Sequence, residues 1–423
     1  MYVSQKIRLE ISDSDAQILD LQSKLVVKHY NKLLEFSMSR LNKSKTLCSV
    51  TYSELKDMAS KIANDNIELK NLNYSFVIGS AYTLNEAIKK FNRKLSSFPK
   101  FKSSQLRWMS LFFTHREGKF QDVIINNKDI TIKIGRQNPY FLNLKLKTKL
   151  IHCNKLINYR ILKEGGKYYI AISMDKDFEK LPKTGESIAI DFNHSNFFMA
   201  INSRGETFEM KNLSMIKYFN KQTDCLNKKL SKKKIETLTN SYGFPYKVYS
   251  KNYLKINQCL NKLNHKKKVQ ITAALYTIAN LLVEKYDIIC VGDYVPNPDD
   301  AINTTMRRAM VNNSVIAKFK TILGHVCNKT GKVLRVVNEY GTTMTCHSCG
   351  YIEKKEPNVR IFQCPKCNKI YQRDINSAIN IGIYGGIFQP NQFNNIDLKF
   401  SQYILNYNIY KCSIEKKKNV LAK

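Results

Sequence analysis

The sequence predicts an α/β domain that carries a zinc ribbon and follows a mostly antiparallel β-region. Three observations support this prediction: strand-like and helical segments alternate from residue 185 onwards, two Cys-x-x-Cys pairs interrupt that alternation, and period-two apolar patterns precede it. Alternation of strands and helices is typical of a sheet that is covered by helices on both faces. We therefore expect a three-layer α/β architecture in the C-terminal part of the chain.

The two cysteine pairs predict a structural zinc site. Cys346-x-x-Cys349 is followed, after fourteen residues, by Cys364-x-x-Cys367. Four thiolates at this spacing complete the tetrahedral shell of a closed zinc site, so no position is left for a catalytic water. The alternative is two disulfides or scattered buried thiols. The other cysteines are isolated and no signal peptide precedes them, which favours a reducing compartment and zinc.

The charge balance predicts a polyanionic partner. The chain has 69 Lys and Arg against 34 Asp and Glu, a formal net charge of +35. Such an excess concentrates nucleic acid around a protein. A membrane surface or a lysine-biased, AT-rich genome is the alternative, although that bias exchanges Arg for Lys without changing net charge. No run of eighteen apolar residues occurs, so we expect no membrane partner.

The most basic segment lies between residues 221 and 268. It contains thirteen lysines, two acids and five aromatic residues. Lysines interleaved with aromatic rings suit a track for phosphates with stacking platforms for bases. A solvated helical hairpin is the alternative explanation of such a run of charge.

The N-terminal region predicts a small β-barrel that carries an inserted helical bundle. Residues 1–10 and 104–182 contain period-two strands and form the barrel or sheet, in which the strand near residue 7 takes part. Residues 11–103 contain three amphipathic segments that end before Pro99. Ser14-x-x-Gln17 and Thr51-x-x-Glu54 read as capping boxes for the first two helices.

The α/β domain is predicted to comprise residues 185–340 and 371–423, with the zinc ribbon at 341–370. Strands are expected near 187–193, 197–202, 206–210, 288–293 and 333–339, and helices at 269–285 and about 306–330. The tail after Gly386 shows no clear periodicity and receives no assignment.

Acidic residues at strand ends predict metal-dependent phosphodiester hydrolysis. Asp191 ends the first strand of the domain and Asp374 begins its last helix, two of the positions that hold magnesium or manganese in an RNase H-like fold. The third position, usually a glutamate, is Gly292. Glu339 is the favoured substitute because it ends a neighbouring parallel strand, and such strands open on the same crevice. Asp293, whose side chain should face the other side of the sheet, and an inactive site are the alternatives.

These motifs resemble those of the TnpB and Fanzor nucleases, compact RuvC-type, RNA-guided DNA endonucleases related to miniature type V CRISPR effectors. The matching segments are Ile188 to Asn193 for the first RuvC motif, Glu339 to Gly350 leading into the ribbon, Arg373 to Ile381 for the third motif, and Pro99 to Lys102. The resemblance extends over residues 185–385 and is partial before them. Most TnpB proteins carry a glutamate where Gly292 stands, whereas Fanzors and one TnpB branch place a substitute before the ribbon. Gln372 also departs from the family, since many relatives have an acid there.

The resemblance implies a transposon-associated, RNA-guided DNA endonuclease. Its barrel and bundle would hold guide RNA and read a short motif flanking the target double-stranded DNA, while the RuvC domain cuts and the ribbon binds target nucleic acid. The protein would act as a monomer with its RNA, in the nucleus if it is a eukaryotic or viral Fanzor and otherwise in the cytoplasm or nucleoid. A nuclease-dead, RNA-guided repressor and a guide-free, zinc-ribbon DNA-binding or recombination protein are the alternatives.

Overall fold

The computed structural model describes residues 1–106, 108–114, 122–136, 139–239, 245–297, 303–308, 310, 314–356 and 359–422. Contacts divide the chain into two units: the first comprises Met1–Asp177 and Gln222–His265, and the second comprises Phe178–Lys221 and Lys266–Lys423. This division differs from the predicted boundaries, because residues 222–265 group with the first unit and not with the α/β domain. That segment is rich in lysine and poor in apolar periodicity, so its tertiary contacts decide its place.

The sheet of the first unit has seven antiparallel strands. They are β1 (Tyr2–Glu10), β2 (Leu111–Thr114), β3 (Val123–Asn126), β4 (Asp129–Ile134), β5 (Tyr140–Leu146), β6 (Lys155–Glu164) and β7 (Lys167–Asp175), in the order β2-β6-β7-β1-β5-β4-β3. The N-terminal strand takes part as expected, with Ile7 opposite Ile170. β1 pairs with β7 along most of its length and with β5 at its end. Alternate residues such as Ile130 and Ile132 are buried on one face.

Three helices lie between β1 and β2 along the chain and pack on one another. They are α1 (Asp13–Met38), α2 (Tyr52–Asp65) and α3 (Tyr74–Asn92). The capping box at Thr51 is confirmed, since the Glu54 N–H donates to Thr51 Oγ1 and the Thr51 N–H donates to Glu54. The box predicted at Ser14 is wrong. β1 reaches Glu10, so the chain turns earlier, and Ser12 Oγ accepts the Asp15 N–H at 3.1 Å.

From residue 187 the chain alternates strands and helices. In order they are β8 (Ser187–Phe192), β9 (Phe198–Asn202), β10 (Thr207–Met210), α4 (Ser214–Ser231), β11 (Ile235–Thr239), β12 (Pro245–Tyr249), α5 (Lys251–Lys285), β13 (Ile288–Gly292), α6 (Thr304–Arg308), α7 (Ile316–Thr330), β14 (Val333–Val337), β15 (Ile361–Gln363), β16 (Ile370–Gln372), α8 (Arg373–Tyr384), β17 (Tyr403–Asn408) and β18 (Ser413–Lys418). In place of the helix predicted at about 306–330 stand α6 and α7; residues 309 and 311–313 lie outside the described part of the chain.

The basic segment contains the antiparallel hairpin β11–β12 between α4 and α5. Tyr242 and Phe244, two of the five proposed stacking residues, lie outside the described residues. The rings of Tyr249 and Tyr253 pack against each other with centroids 4.7 Å apart. Within the described residues, no helix is both long and apolar enough to cross a membrane.

The sheet of the second unit has the order β14-β13-β8-β9-β10-β17-β18. β8, β13 and β14 run parallel, so their carboxyl ends lie at the same edge. α8 packs on β8, β9 and β13 through a buried apolar face that includes Ile375, Ala378 and Ile379. The unassigned tail supplies β17 and β18, and β17 joins the sheet parallel to β10. The edge shared by the three parallel strands is where the predicted carboxylates lie.

Candidate nuclease site and zinc centre

The four predicted cysteines form one cluster. Their sulfurs all lie within 4.8 Å of one another, with Cys346 Sγ 3.8 Å from Cys367 Sγ and Cys349 Sγ 3.6 Å from Cys364 Sγ. Sulfurs bound to zinc at about 2.3 Å in a tetrahedron stand about 3.8 Å apart, so the spacing fits structural zinc. None of these cysteines is in a disulfide, which removes the disulfide alternative for them.

Two asparagines of α8 attach the loop before the ribbon to the nuclease fold. Asn380 Nδ2 donates to the carbonyl oxygens of Thr342 and Thr345, at 2.8 Å each. Asn376 Nδ2 also donates to the Thr345 carbonyl oxygen, and its Oδ1 accepts the His347 N–H at 3.0 Å. Both asparagines are buried. The loop that begins at Glu339 is therefore fixed to the helix that carries Asp374.

Asp191 lies at the carboxyl end of β8 and is buried. Ser377 Oγ on α8 donates to Asp191 Oδ1 at 3.0 Å. Burial raises the pKa of Asp191 well above that of an ordinary carboxyl group, and the negative charges of Asp374 and Glu339 raise it further. These two acids are therefore close enough to repel Asp191, and a cation among the three would relieve that repulsion.

Asp374 lies in the first turn of α8 with its side chain 3% exposed. Arg360 Nη1 donates to Asp374 Oδ2 at 2.8 Å, and Arg373 Nε donates to Oδ1 at 3.3 Å. Gln372, which departs from the family motif, caps the helix: its Oε1 accepts the Ile375 N–H at 2.7 Å. The Gln372 side chain thus stabilises the start of the helix.

Arg360 is a residue of the site that the sequence reasoning missed. Besides its ion pair with Asp374, its Nη2 donates to Ser195 Oγ at 2.6 Å. It therefore links the ribbon, the β8–β9 loop and the helix that carries Asp374. A single arginine between two cysteine pairs gives no local sign of this role, because the contact depends on how the ribbon folds back.

Glu339 stands over Gly292. Val337 lies opposite Gly292 in the parallel pair of β14 and β13, so Glu339 follows two residues beyond the end of the strand. A Cβ built on Gly292 would lie 2.9 Å from Glu339 Cδ, 3.1 Å from its Cβ, and closer still to Oε2. The glutamate therefore fills the space that a side chain at residue 292 would take.

The Glu339 side chain is partly buried, and its carboxyl group is incompletely hydrogen-bonded. Burial raises its pKa, and the positive charge of Lys320 on α7 opposes that effect. Among the described residues, no group donates a hydrogen bond to its buried Oε2. An orphaned carboxylate oxygen in such a place is the type of ligand that a hard cation takes. Asp293, the alternative candidate, is exposed and accepts the Glu339 N–H at 3.2 Å.

The three carboxylates are brought together, though less tightly than the cysteines. Within the described ranges, the four cysteines form the one group of three or more possible ligands whose atoms all lie within 4.8 Å of one another. The negative charges of Asp374 and Glu339 nevertheless raise the pKa of Asp191, so the three acids lie near one another at this edge of the sheet.

Comparisons with known proteins agree with this architecture. Residues 317–381 match the family described as Cas12f1-like, TNB domain. A TnpB-like protein of Acanthamoeba polyphaga mimivirus is 28% identical over 154 residues, which are 35% of this chain and 29% of that protein. The CRISPR-associated DNA-binding protein Cas12m of Thermanaerosceptrum fracticalcis is 27% identical over 111 residues, 24% of this chain and 18% of that protein. The match thus spans less than a third of either relative's length.

A solved structure extends the similarity beyond this segment. The Cas12f1 protein of a complex with sgRNA and target DNA superimposes with a TM-score of 0.57 at 15% identity, covering 88% of this chain and 83% of that one. At this identity the likeness establishes the fold alone. The chain therefore shares the fold of that Cas12f1 protein, and its sequence is similar to those of TnpB-like and Cas12f1-like proteins.

Proposed function

We propose that this protein is an RNA-guided DNA endonuclease that hydrolyses phosphodiester bonds in a RuvC-type site with magnesium or manganese. Similarity to TnpB-like and Cas12f-like proteins supports the proposal, as does the net charge of +35. The observation that carries it is the position of Glu339, whose carboxyl group occupies the space left by Gly292 beside Asp191. This rearranged acid is the Fanzor-like feature of the site.

Asp191, Glu339 and Asp374 would hold the ions. Ions held there would stabilise the attacking and leaving oxygens of the phosphodiester. The protein prepares the site in two ways. Burial and the negative charges of Asp374 and Glu339 make ionised Asp191 favour a neighbouring cation, and Ser377 fixes the orientation of Asp191 by donating to Oδ1.

Two cations border the acids and contribute fixed positive charge. Arg360 holds Asp374 from the ribbon side, and Lys320 lies near Glu339 and donates to the Tyr294 carbonyl oxygen at 2.7 Å. Both are suited to orient a phosphate by charge. The ribbon, held together by its four thiolates and structural zinc, then serves to place Arg360 against the β8–β9 loop.

The remaining partners follow the same proposal. The first unit, with its sheet and inserted helices, binds guide RNA and reads a short motif beside the double-stranded target, and the ribbon contacts target nucleic acid. The complex of one chain with its RNA is the active species, of transposon origin. The nuclear localisation expected of a Fanzor is part of this proposal.

The test is cleavage by the purified protein with its co-purified RNA. DNA that carries the sequence complementary to the guide should be cut, and Asp191→Ala should abolish cutting without loss of bound RNA. Asp397→Ala is a matched control, because Asp397 is an exposed aspartate of the same unit. Cleavage undiminished in Asp191→Ala would defeat the assignment of the site.

A nuclease-dead repressor guided by RNA is the second candidate. Two observations favour this alternative. Residue 292 is a glycine and not the usual acid, and Asp374 already forms ion pairs with two arginines. An assay of the wild-type protein distinguishes the two candidates: RNA-guided DNA binding without cleavage in magnesium or manganese would establish the repressor. Absence of one defined co-purified RNA would instead favour a guide-free DNA-binding or recombination protein.

A further inference from the structure

A cavity of about 530 Å³ opens beside the candidate nuclease site, within the second unit. Three segments form its walls: residues 193–197 of the β8–β9 loop, residues 211–217 at the start of α4, and residues 314–316 at the start of α7. Its volume falls in the range of about 300–1,000 Å³ that is typical of pockets for small organic groups. The proposed ion-binding roles do not use it.

The cavity shares two residues with the candidate nuclease site. Asn193 lines it and donates through Nδ2 to Asp374 Oδ2 at 3.4 Å. Ser195 also lines it and accepts a hydrogen bond from Arg360. A group bound in the cavity is therefore next to the side chains that would hold the scissile phosphate.

The lining combines apolar surface with neutral hydrogen-bonding groups. Phe197, Leu213 and Ile316 are buried apolar residues of the wall. Amides and hydroxyl groups supply donors and acceptors, and the charged side chains include Lys211 and Lys217. No carboxylate is found among the described residues of the lining. A flat nucleobase with a polar edge, attached to a phosphate, matches this combination.

The wall nearest the nuclease site is held in place before any ligand binds. Asn212 Nδ2 donates to the carbonyl oxygens of His194 and Ser195, at 3.1 and 2.9 Å. His194 Nε2 and the Tyr294 hydroxyl form a hydrogen bond of 2.7 Å. Preorganisation of this kind lowers the ordering cost of binding.

We propose that this cavity receives the base of an unpaired nucleotide next to the scissile phosphate. A base that is paired and stacked in a duplex must leave the stack before the walls of a pocket can surround it. The cavity therefore selects melted DNA for the nuclease site and sets the position of the cut relative to an extruded base. This inference rests on the proposed nuclease function, which it extends to the form of the substrate.

Photocrosslinking tests the cavity without depending on cleavage. The full chain is mixed with a single-stranded oligothymidylate that carries one 4-thiothymidine, in calcium instead of magnesium, and crosslinked peptides are mapped by mass spectrometry. We expect crosslinks to residues 193–197, 211–217 or 314–316, and fewer with the same strand in a duplex. Crosslinks confined to other parts of the chain would overturn the inference.

Two filling variants sharpen the test. Ser314→Trp should lower the crosslinking yield about tenfold, the order of effect expected for the loss of one base contact, whereas Ser314→Ala should not. Lys217→Trp, at an exposed position of α4, gives the same test should Ser314→Trp fail to fold. Unchanged yields in both tryptophan variants would reject the cavity. Failure of the wild-type protein to cut guided DNA would reject the nuclease function, while the crosslinks would still decide the cavity.

Discussion

Substitution of Gly292 tests the rearranged acid directly. Gly292→Ala adds one methyl group at the point where the Glu339 carboxyl group lies. The backbone of Gly292 has no positive φ that would itself strain an alanine. Any loss of activity therefore reports the displacement of Glu339.

The size of the effect follows from the distances. The added Cβ would lie 2.9 Å from Glu339 Cδ, whereas carbon atoms in contact rest about 3.5–4.0 Å apart. Relief of the Cδ contact alone requires a retreat of roughly 0.6–1.1 Å, and the still closer Oε2 requires the carboxyl group to move further. Misplacement of a reacting group by about 1 Å can reduce a rate about 100-fold, which is the loss that we expect for Gly292→Ala.

Guided DNA cleavage at saturating magnesium is the assay, with thermal unfolding to verify the fold. Gly324→Ala is the matched control, because a Cβ there meets only Leu334 Cδ2 at an ordinary 3.5 Å. The double variant Gly292→Glu with Glu339→Ala should restore most of the lost rate, since it returns a carboxylate to the same space from the neighbouring strand. Cleavage at the wild-type rate by folded Gly292→Ala would refute the reasoning.

Three further outcomes are expected. Zinc should co-purify with the chain, and Cys364→Ser should lose it and unfold at a lower temperature, as measured by elemental analysis and calorimetry. Asp287→Asn should cost about 3 kcal/mol at neutral pH, because it leaves the buried Lys332 ammonium unpaired. Lys332 lowers the pKa of Asp287, so that deficit should shrink as the pH falls below about 4, in denaturant titrations. Asp191 has a raised pKa, so Asp191→Asn should stabilise the protein near neutral pH without added divalent ions. This gain should be lost at acidic pH, where the wild-type carboxyl group is itself protonated. With magnesium added, the wild-type protein should be the more stable of the two.

The local parts of the structure could be predicted from the sequence. The spacing of Cys346, Cys349, Cys364 and Cys367 places their sulfurs together because each pair closes its own short turn. The box at Thr51 is equally local. The approach of Glu339 to Asp191 follows from one rule, that the carboxyl ends of neighbouring parallel strands lie at the same edge of a sheet. The binding of ions by these acids stays a prediction.

The parts that depend on distant contacts could not be predicted. Arg360 reaches Asp374 only because the ribbon folds back on the β8–β9 loop. Among the described residues of 222–265, Leu230 is the one buried apolar side chain, so no periodic apolar face predicts their grouping with the first unit. Strand β17 is half-buried along its whole length, which removes the period-two alternation by which strands are recognised.

The hairpin β17–β18 has a practical consequence for engineering. Residues 386–423 show no clear periodicity in the sequence, so they look like a dispensable tail that would be removed first in a smaller variant. Truncation of the chain before Tyr403 would expose the edge of β10 that pairs with β17. It would also remove the lysines of β18, the last strand of the sheet. An uncovered edge of this kind invites intermolecular pairing and precipitation. Shortened versions of the protein should therefore retain the chain through Lys418.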